Sequence, residues 1–195
     1  TIDELLAEIE KDRVFYEQSG GGVTLSGGEV LCQPTAAREL AQACKSRGFH
    51  VAIDTCGHAP YENLARLFDC ADLFLYDLKH LDSLRHHKFT GHDNHLILDN
   101  LLRLCAAGKP AHLRIPLIEN FNTDDAHIET VAQFVRQLNL VQIDLLPYHN
   151  TGSSKYERLG RRYEPGCFAA PAPDRLARIA AILRQAHPNV TIGGN

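Results

Sequence analysis

The chain has 195 residues, 44% hydrophobic and 23% charged, with a formal net charge of −4. That length supports one packed domain or a large partial barrel, and the composition is that of a globular protein. The acidic balance excludes nucleic-acid binding through a broad basic face, and no apolar run approaches the about 20 residues that span a bilayer. Neither nucleic acid nor a membrane is expected as a partner.

Six cysteines, Cys32, Cys44, Cys56, Cys70, Cys105 and Cys167, stand outside any C-x-x-C or similar metal spacing. The pattern reads as a reduced, cytoplasmic protein with mostly buried thiols. No methionine occurs, even at position 1, and no signal-peptide pattern is visible. Sequence is therefore expected to precede Thr1.

Thr1-Ile2-Asp3-Glu4 is a capping box, and Ile2, Leu5, Leu6 and Ile9 repeat at helical spacing, predicting a helix to about Glu17. The glycines at 20–22 stop it, and Val23–Leu25 is the first strand, ending in Ser26-Gly27-Gly28-Glu29. A helix is expected over Pro34–Arg47. The second strand, His50–Ile53, ends in Asp54-Thr55-Cys56-Gly57. A helix over Tyr61–Phe68 leads to the third strand, Leu73–Tyr76, ending in Asp77-Leu78-Lys79-His80.

Leu81–Asn94 reads as a polar, histidine-rich loop with a short helix, followed by a helix over His95–Ala107. Ala111–Leu117 is the fourth strand, with Arg114 inside it. Thr123 is the expected cap of a helix striped by Ile128, Val131, Phe134, Val135 and Leu138. Val141–Leu146 is the fifth strand, ending in Pro147-Tyr148-His149. Asn150–Pro173 is expected as a long loop, before a helix marked by Leu176, Ile179, Ala180 and Leu183. Val190–Ile192 is a candidate terminal strand.

Strand–helix alternation argues a parallel α/β sheet. A complete eightfold barrel needs about 250 residues. Five strand–helix pairs behind a helix that lacks its own strand suggest an open, partial (β/α)6 TIM-like barrel whose first strand lies before Thr1. An open doubly wound sheet is the alternative.

Polar groups gather where strands end: Glu29, Asp54, Thr55, Asp77, Lys79 and His149. In a parallel barrel those ends share one face, where sites form. Paired glycines let a ligand approach backbone, and a carboxylate beside them suits an ammonium. Asp77 and Lys79 are two apart and point the same way, with Leu78 opposite. Arg114, flanked by apolar neighbours, needs an anionic partner if it faces inward. Three carboxylates on one face need a cation: a metal ion, a ligand ammonium or a protein lysine. The plain alternative for each acid is a helix cap.

His80, His86, His87, His92 and His95 lack a helical metal spacing and read as solvated surface. No G-K-[ST] follows the glycines and no G-x-S-x-G elbow occurs, which removes a P-loop and a hydrolase triad. Cys56 reads as a structural thiol rather than a nucleophile.

Ser19–Glu29, then Asp54-Thr55-Cys56-Gly57, Tyr76-Asp77-Leu78-Lys79-His80, Leu113-Arg114-Ile115-Pro116-Leu117 and Leu145-Leu146-Pro147-Tyr148-His149, together resemble the glycyl-radical-enzyme activating enzymes. These belong to the radical S-adenosylmethionine (SAM) group, and pyruvate formate-lyase activating enzyme is the best-known member. The resemblance runs in order along nearly the whole chain. It implies a single radical SAM partial-barrel domain in which Gly27, Gly28 and Glu29 hold the amino end of SAM. Asp77, Leu78, Lys79, Arg114 and His149 complete the pocket, and Asp54, Thr55 and Asp77 form a monovalent-cation site.

The implied reaction is reductive cleavage of SAM by a [4Fe-4S] cluster, giving a 5′-deoxyadenosyl radical that takes a hydrogen from a glycine of a partner enzyme. That partner is pyruvate formate-lyase or a related dehydratase or lyase, and reduced flavodoxin or ferredoxin is the implied electron donor. Two features depart from the family. Val30 stands where proline usually follows Gly-Gly-Glu, and the cluster motif C-x-x-x-C-x-x-C is absent. The motif is expected upstream of Thr1, so this chain alone is expected to be inactive. The alternative function is a cluster-free docking protein for a glycyl-radical enzyme.

Overall fold

The computed structural model describes residues 1–149 and 168–193. Most of the expected loop over 150–173, together with Cys167, lies outside the described residues. Along the chain come α1 (Ile2–Glu10), α2 (Arg13–Ser19), β1 (Gly22–Leu25), a 3-10 turn (Val30–Cys32), α3 (Pro34–Ser46), β2 (His50–Thr55), α4 (Tyr61–Ala65) and β3 (Leu73–Asp77). Then follow α5 (Ser83–Thr90), α6 (His95–Ala106), β4 (Ala111–Leu117), α7 (Asp125–Val135), β5 (Gln142–Pro147), α8 (Pro173–Arg184) and β6 (Val190–Ile192).

The six strands form one parallel sheet in the order β1-β2-β3-β4-β5-β6. Sequential order with no reversal is that of a barrel wall, as expected for a partial TIM-like barrel, and it removes the doubly wound alternative. Burial agrees. Leu113, Ile115 and Leu117 of β4 lie in the core, while His112, Arg114 and Pro116 between them stay half-buried. β3 alternates in the same way, with Phe74 and Tyr76 fully buried. One face of the sheet is therefore apolar and covered by helices. The other carries Asp54, Asp77 and Arg114 beside the half-buried Leu73 and Leu75 and is more open, whereas a doubly wound sheet is covered on both.

β1 lies at the edge of the sheet and pairs only with β2 among the described residues. Beside it runs a cavity of about 310 Å³ lined by Ile2, Leu5, Leu25, Val30, Ala37 and Leu40, with Ser26, Gly27 and Glu29 also in its wall.

The expected first helix is two. α1 carries the capping box, but Lys11 N bonds Glu8 O and a new helix starts at Arg13, whose guanidinium holds Glu10. The helix after β2 ends at Ala65 and continues as turns. The cap of α7 is Asp124, whose carboxylate accepts from His127 N at 2.9 Å. Thr123 instead contacts Glu119 at 3.4 Å.

Candidate functional site

The β1–α3 connection begins with a tight turn. Gly27 and Gly28 have φ of 97° and 62°, a region in which only glycine is unstrained. A Cβ on either would meet nothing within 4 Å, so backbone geometry rather than crowding demands glycine, and the turn faces open space. Among the described residues, no hydrogen bond engages the amide or carbonyl of Gly27 or Gly28.

Glu29 points back at the end of β2. One oxygen accepts from Thr55 Oγ1 at 2.5 Å and Leu31 N at 3.0 Å, and the other from Cys56 N and Cys56 Sγ, both at 3.0 Å. Glu29 thereby caps the 3-10 turn, the role expected under the plain reading of an acid after a strand. It also fixes the glycine turn to β2. Burial, followed by the Glu29 hydrogen bond, pushes the Cys56 thiol up to about 11, which leaves it unreactive.

Asp54 and Asp77 lie on the open face at adjacent strand ends. Arg114 sits directly across from Asp77 in the β3–β4 register. Its Nε donates to Asp77 Oδ1 at 2.8 Å, and its Nη2 lies 2.7 Å from the same oxygen and bonds Asp54 Oδ1. Ser26 Oγ donates to Asp54 Oδ2 at 3.0 Å, and Lys79 Nζ lies 3.9 Å from Asp77 Oδ2. Burial raises the Asp77 pKa, with Arg114 and Lys79 pulling the other way. Burial opposes the charge on Arg114, but Asp77 and Asp54 outweigh it and raise its pKa, so the guanidinium stays charged.

The expected residues thus divide. Gly27, Gly28, Asp54, Asp77, Lys79 and Arg114 come to one end of the open face. His149 follows β5 at the same end and is exposed. Leu78 turns its side chain into the core at 2% exposure and spends its N–H on Arg114 O, so only its carbonyl is available to a ligand. Thr55 Oγ1 faces Glu29, away from Asp54, because successive side chains in a strand alternate. The space between Asp54 and Asp77 holds the Arg114 guanidinium, so Asp54, Thr55 and Asp77 as arranged do not fit a cation.

The cluster fits no better among the described residues. Cys32, Cys44, Cys56, Cys70 and Cys105 are free and scattered, and no three His, Cys, Asp or Glu groups could hold a metal ion. The zwitterionic end of SAM does fit, because acids, two cations and an unengaged backbone turn share one strand-end rim.

Sequence reading missed the residues that hold the rim loops. Asn122 donates to Lys79 O at 2.9 Å and Pro116 O at 2.7 Å, tying the ends of β3 and β4. Asn94 donates to the carbonyls of His80 and Leu81, and Asn100 to those of Gly57 and Ala59. All three are at most 1% exposed. A signal existed for Asn100, a polar residue in the helical stripe of Ile97, Leu101 and Leu104. Below the rim, Asp144 accepts from Gln142 and Thr191 at 2.6 Å each and lies 3.4 Å from His112. The loop histidines are also not all solvated: His80 and His86 are buried, and His80 stacks on His127 with centroids 3.9 Å apart.

The radical SAM superfamily profile matches residues 1–135. A trans-4-hydroxy-L-proline dehydratase activating enzyme of Clostridioides difficile is 46% identical over the whole chain, which spans 65% of it. A choline trimethylamine-lyase activating enzyme of Oleidesulfovibrio alaskensis is 45% identical over 95% of the chain, which spans 61% of that protein. The chain therefore spans less than two thirds of these relatives. The crystal structure of a domain of a pyruvate-formate lyase-activating enzyme from Bacteroides vulgatus superposes with a TM-score of 0.76 at 34% identity, covering 89% of this chain and 99% of that domain. Among the described residues no helix is long and apolar enough to cross a membrane. The chain belongs to the radical SAM superfamily, and its relatives there are activating enzymes of glycyl-radical enzymes.

Proposed function

We propose that this chain is the SAM-binding part of an activating enzyme that installs a glycyl radical on a dehydratase or lyase. The observation that supports this most is the meeting of the Gly27-Gly28 turn with Asp54, Asp77, Lys79 and Arg114 at one strand-end rim. Together, SAM and a [4Fe-4S] cluster supply one-electron chemistry that removes a hydrogen atom from a backbone glycine, with reduced flavodoxin or ferredoxin as donor.

The residues here have binding roles. The carbonyls of the glycine turn accept the SAM ammonium, and Glu29, its oxygens engaged by β2, holds that turn in place. Lys79, whose ion pair with Asp77 is long at 3.9 Å, is the cation best placed for the carboxylate. Asp77, Arg114 and His149 complete the wall. The monovalent cation implied by resemblance at Asp54, Thr55 and Asp77 has no seat in the present arrangement, and no step is assigned to it.

The cluster thiolates come, in this proposal, from a C-x-x-x-C-x-x-C segment upstream of Thr1. Its strand pairs with the free edge of β1 and fills the apolar cavity there, making one domain with residues 1–195. The test is anaerobic reconstitution of the complete gene product with iron and sulfide, then reduction with SAM beside its co-encoded partner. Formation of 5′-deoxyadenosine and a glycyl radical signal are expected. If neither forms on a cluster-loaded protein, the enzyme reading fails and a docking role replaces it.

A further inference from the structure

The geometry points to Arg114 as the built-in counter-ion of the Asp54–Asp77 pair, which takes the place of a bound alkali cation at the rim. The guanidinium bonds both carboxylates, through Nη2 to Asp54 and through Nε and Nη2 to Asp77. Register makes this arrangement intrinsic to the sheet. Arg114 lies across from Asp77 on the neighbouring strand, and its length carries the fork on to Asp54 one strand further.

The charge count at the pair also closes: its two carboxylates face one guanidinium and one ammonium, Lys79, while the third rim acid, Glu29, is held by donors of Thr55, Leu31 and Cys56. The remaining oxygen of Asp54 already has a donor, Ser26 Oγ at 3.0 Å. Thr55, which would have to join such a site, spends its hydroxyl on Glu29. Half-burial makes the count matter. The side chains of Arg114, Asp54 and Asp77 are 19%, 25% and 21% exposed, so water screens them only in part.

An alkali cation should therefore add nothing to the native protein and should become useful only once the guanidinium is gone. The test is thermal melting in sodium, potassium and choline chloride at equal ionic strength, for the native protein, Arg114→Gln and Asp54→Asn/Arg114→Gln. The native melting point should be the same in all three salts. Arg114→Gln should melt lower in choline by about 5 °C or more, and sodium or potassium should recover much of that loss in a saturable way. The double variant, relieved of one acid, should lose the dependence.

A saturable, alkali-specific rise in the native protein overturns the proposal, as does an Arg114→Gln protein indifferent to cations. Should Arg114→Gln not fold, sodium NMR line widths of the native protein decide. Unchanged widths support the proposal, and broadening that titrates with protein overturns it. None of these readouts uses SAM, so their failure leaves the proposed function standing.

Discussion

The two faces of the sheet are built from the same strands and solve opposite problems. On the helix side, Phe74, Tyr76, Leu113, Ile115 and Ile143 are at most 1% exposed, and burial of apolar surface is the main favourable term. On the open side Asp54, Asp77, Arg114 and Asp144 carry charge. There the stabilising element is pairing: Arg114 with Asp54 and Asp77 at the rim, and Asp144 with Gln142, Thr191 and His112 below it. The outer face should thus set global stability, and the inner rim should set binding at little cost in stability.

The largest effect expected on the outer face is at Gly57. Its φ is +72°, and an added Cβ would lie 1.7 Å from Tyr76 Oη, a group buried against Ile97 O at 2.7 Å. Gly57→Ala should cost about 4 kcal/mol, read from urea unfolding. A loss below about 1 kcal/mol would show that the packing here yields.

Next comes pH. Burial, followed by the charge of His80, pushes the His127 pKa down to about 4 from an ordinary 6.5, and His80 is lowered too by burial. The depressed value means that the unfolded chain binds more protons between those limits. Stability is then full above pH 6.5 and falls as pH drops towards 4, by roughly 3 kcal/mol at most for His127. His127→Phe should flatten that slope in denaturant titrations at a series of pH values. An unchanged slope would place the protonation elsewhere.

Asp144 tests the inner face below the rim. Asp144→Ala leaves Gln142 and Thr191 without their acceptor at a site 3% exposed, and should cost about 2 kcal/mol while leaving rim binding intact. Asp77→Asn should be the mildest for stability, about 1 kcal/mol or less, because its partners are partly solvated and Asp54 still holds Arg114. A larger loss from Asp77→Asn than from Asp144→Ala would break the comparison.

The outer face was legible in β4, where Leu113, Ile115 and Leu117 alternate with His112, Arg114 and Pro116 at the period of a strand, whereas β3 reads as a continuous apolar run up to Asp77. The acids and Lys79 were legible as strand-end groups. The partner of Arg114 was not, since the register gives it Asp77 on one side and Asp144 on the other, and only the folded geometry selects Asp77 and Asp54. Parity could have placed His80. If Asp77 and Lys79 face inward, Leu78 and His80 face the helices, so His80 is buried rather than solvated. The break after α1 depended on Glu10 being claimed by Arg13 and by Arg47, 37 positions away, a contact that no local pattern shows.

The central claim is that the rim binds SAM, and calorimetric titration of SAM into the cluster-loaded complete gene product tests it most directly. The native protein is compared with Asp77→Ala and, as a control below the rim, Asp144→Asn. Asp77→Ala should weaken binding by about tenfold or more, because Lys79 and Arg114 lose the acid that positions them, while Asp144→Asn binds as the native protein does. Unchanged affinity in Asp77→Ala, with the fold intact, would contradict the account.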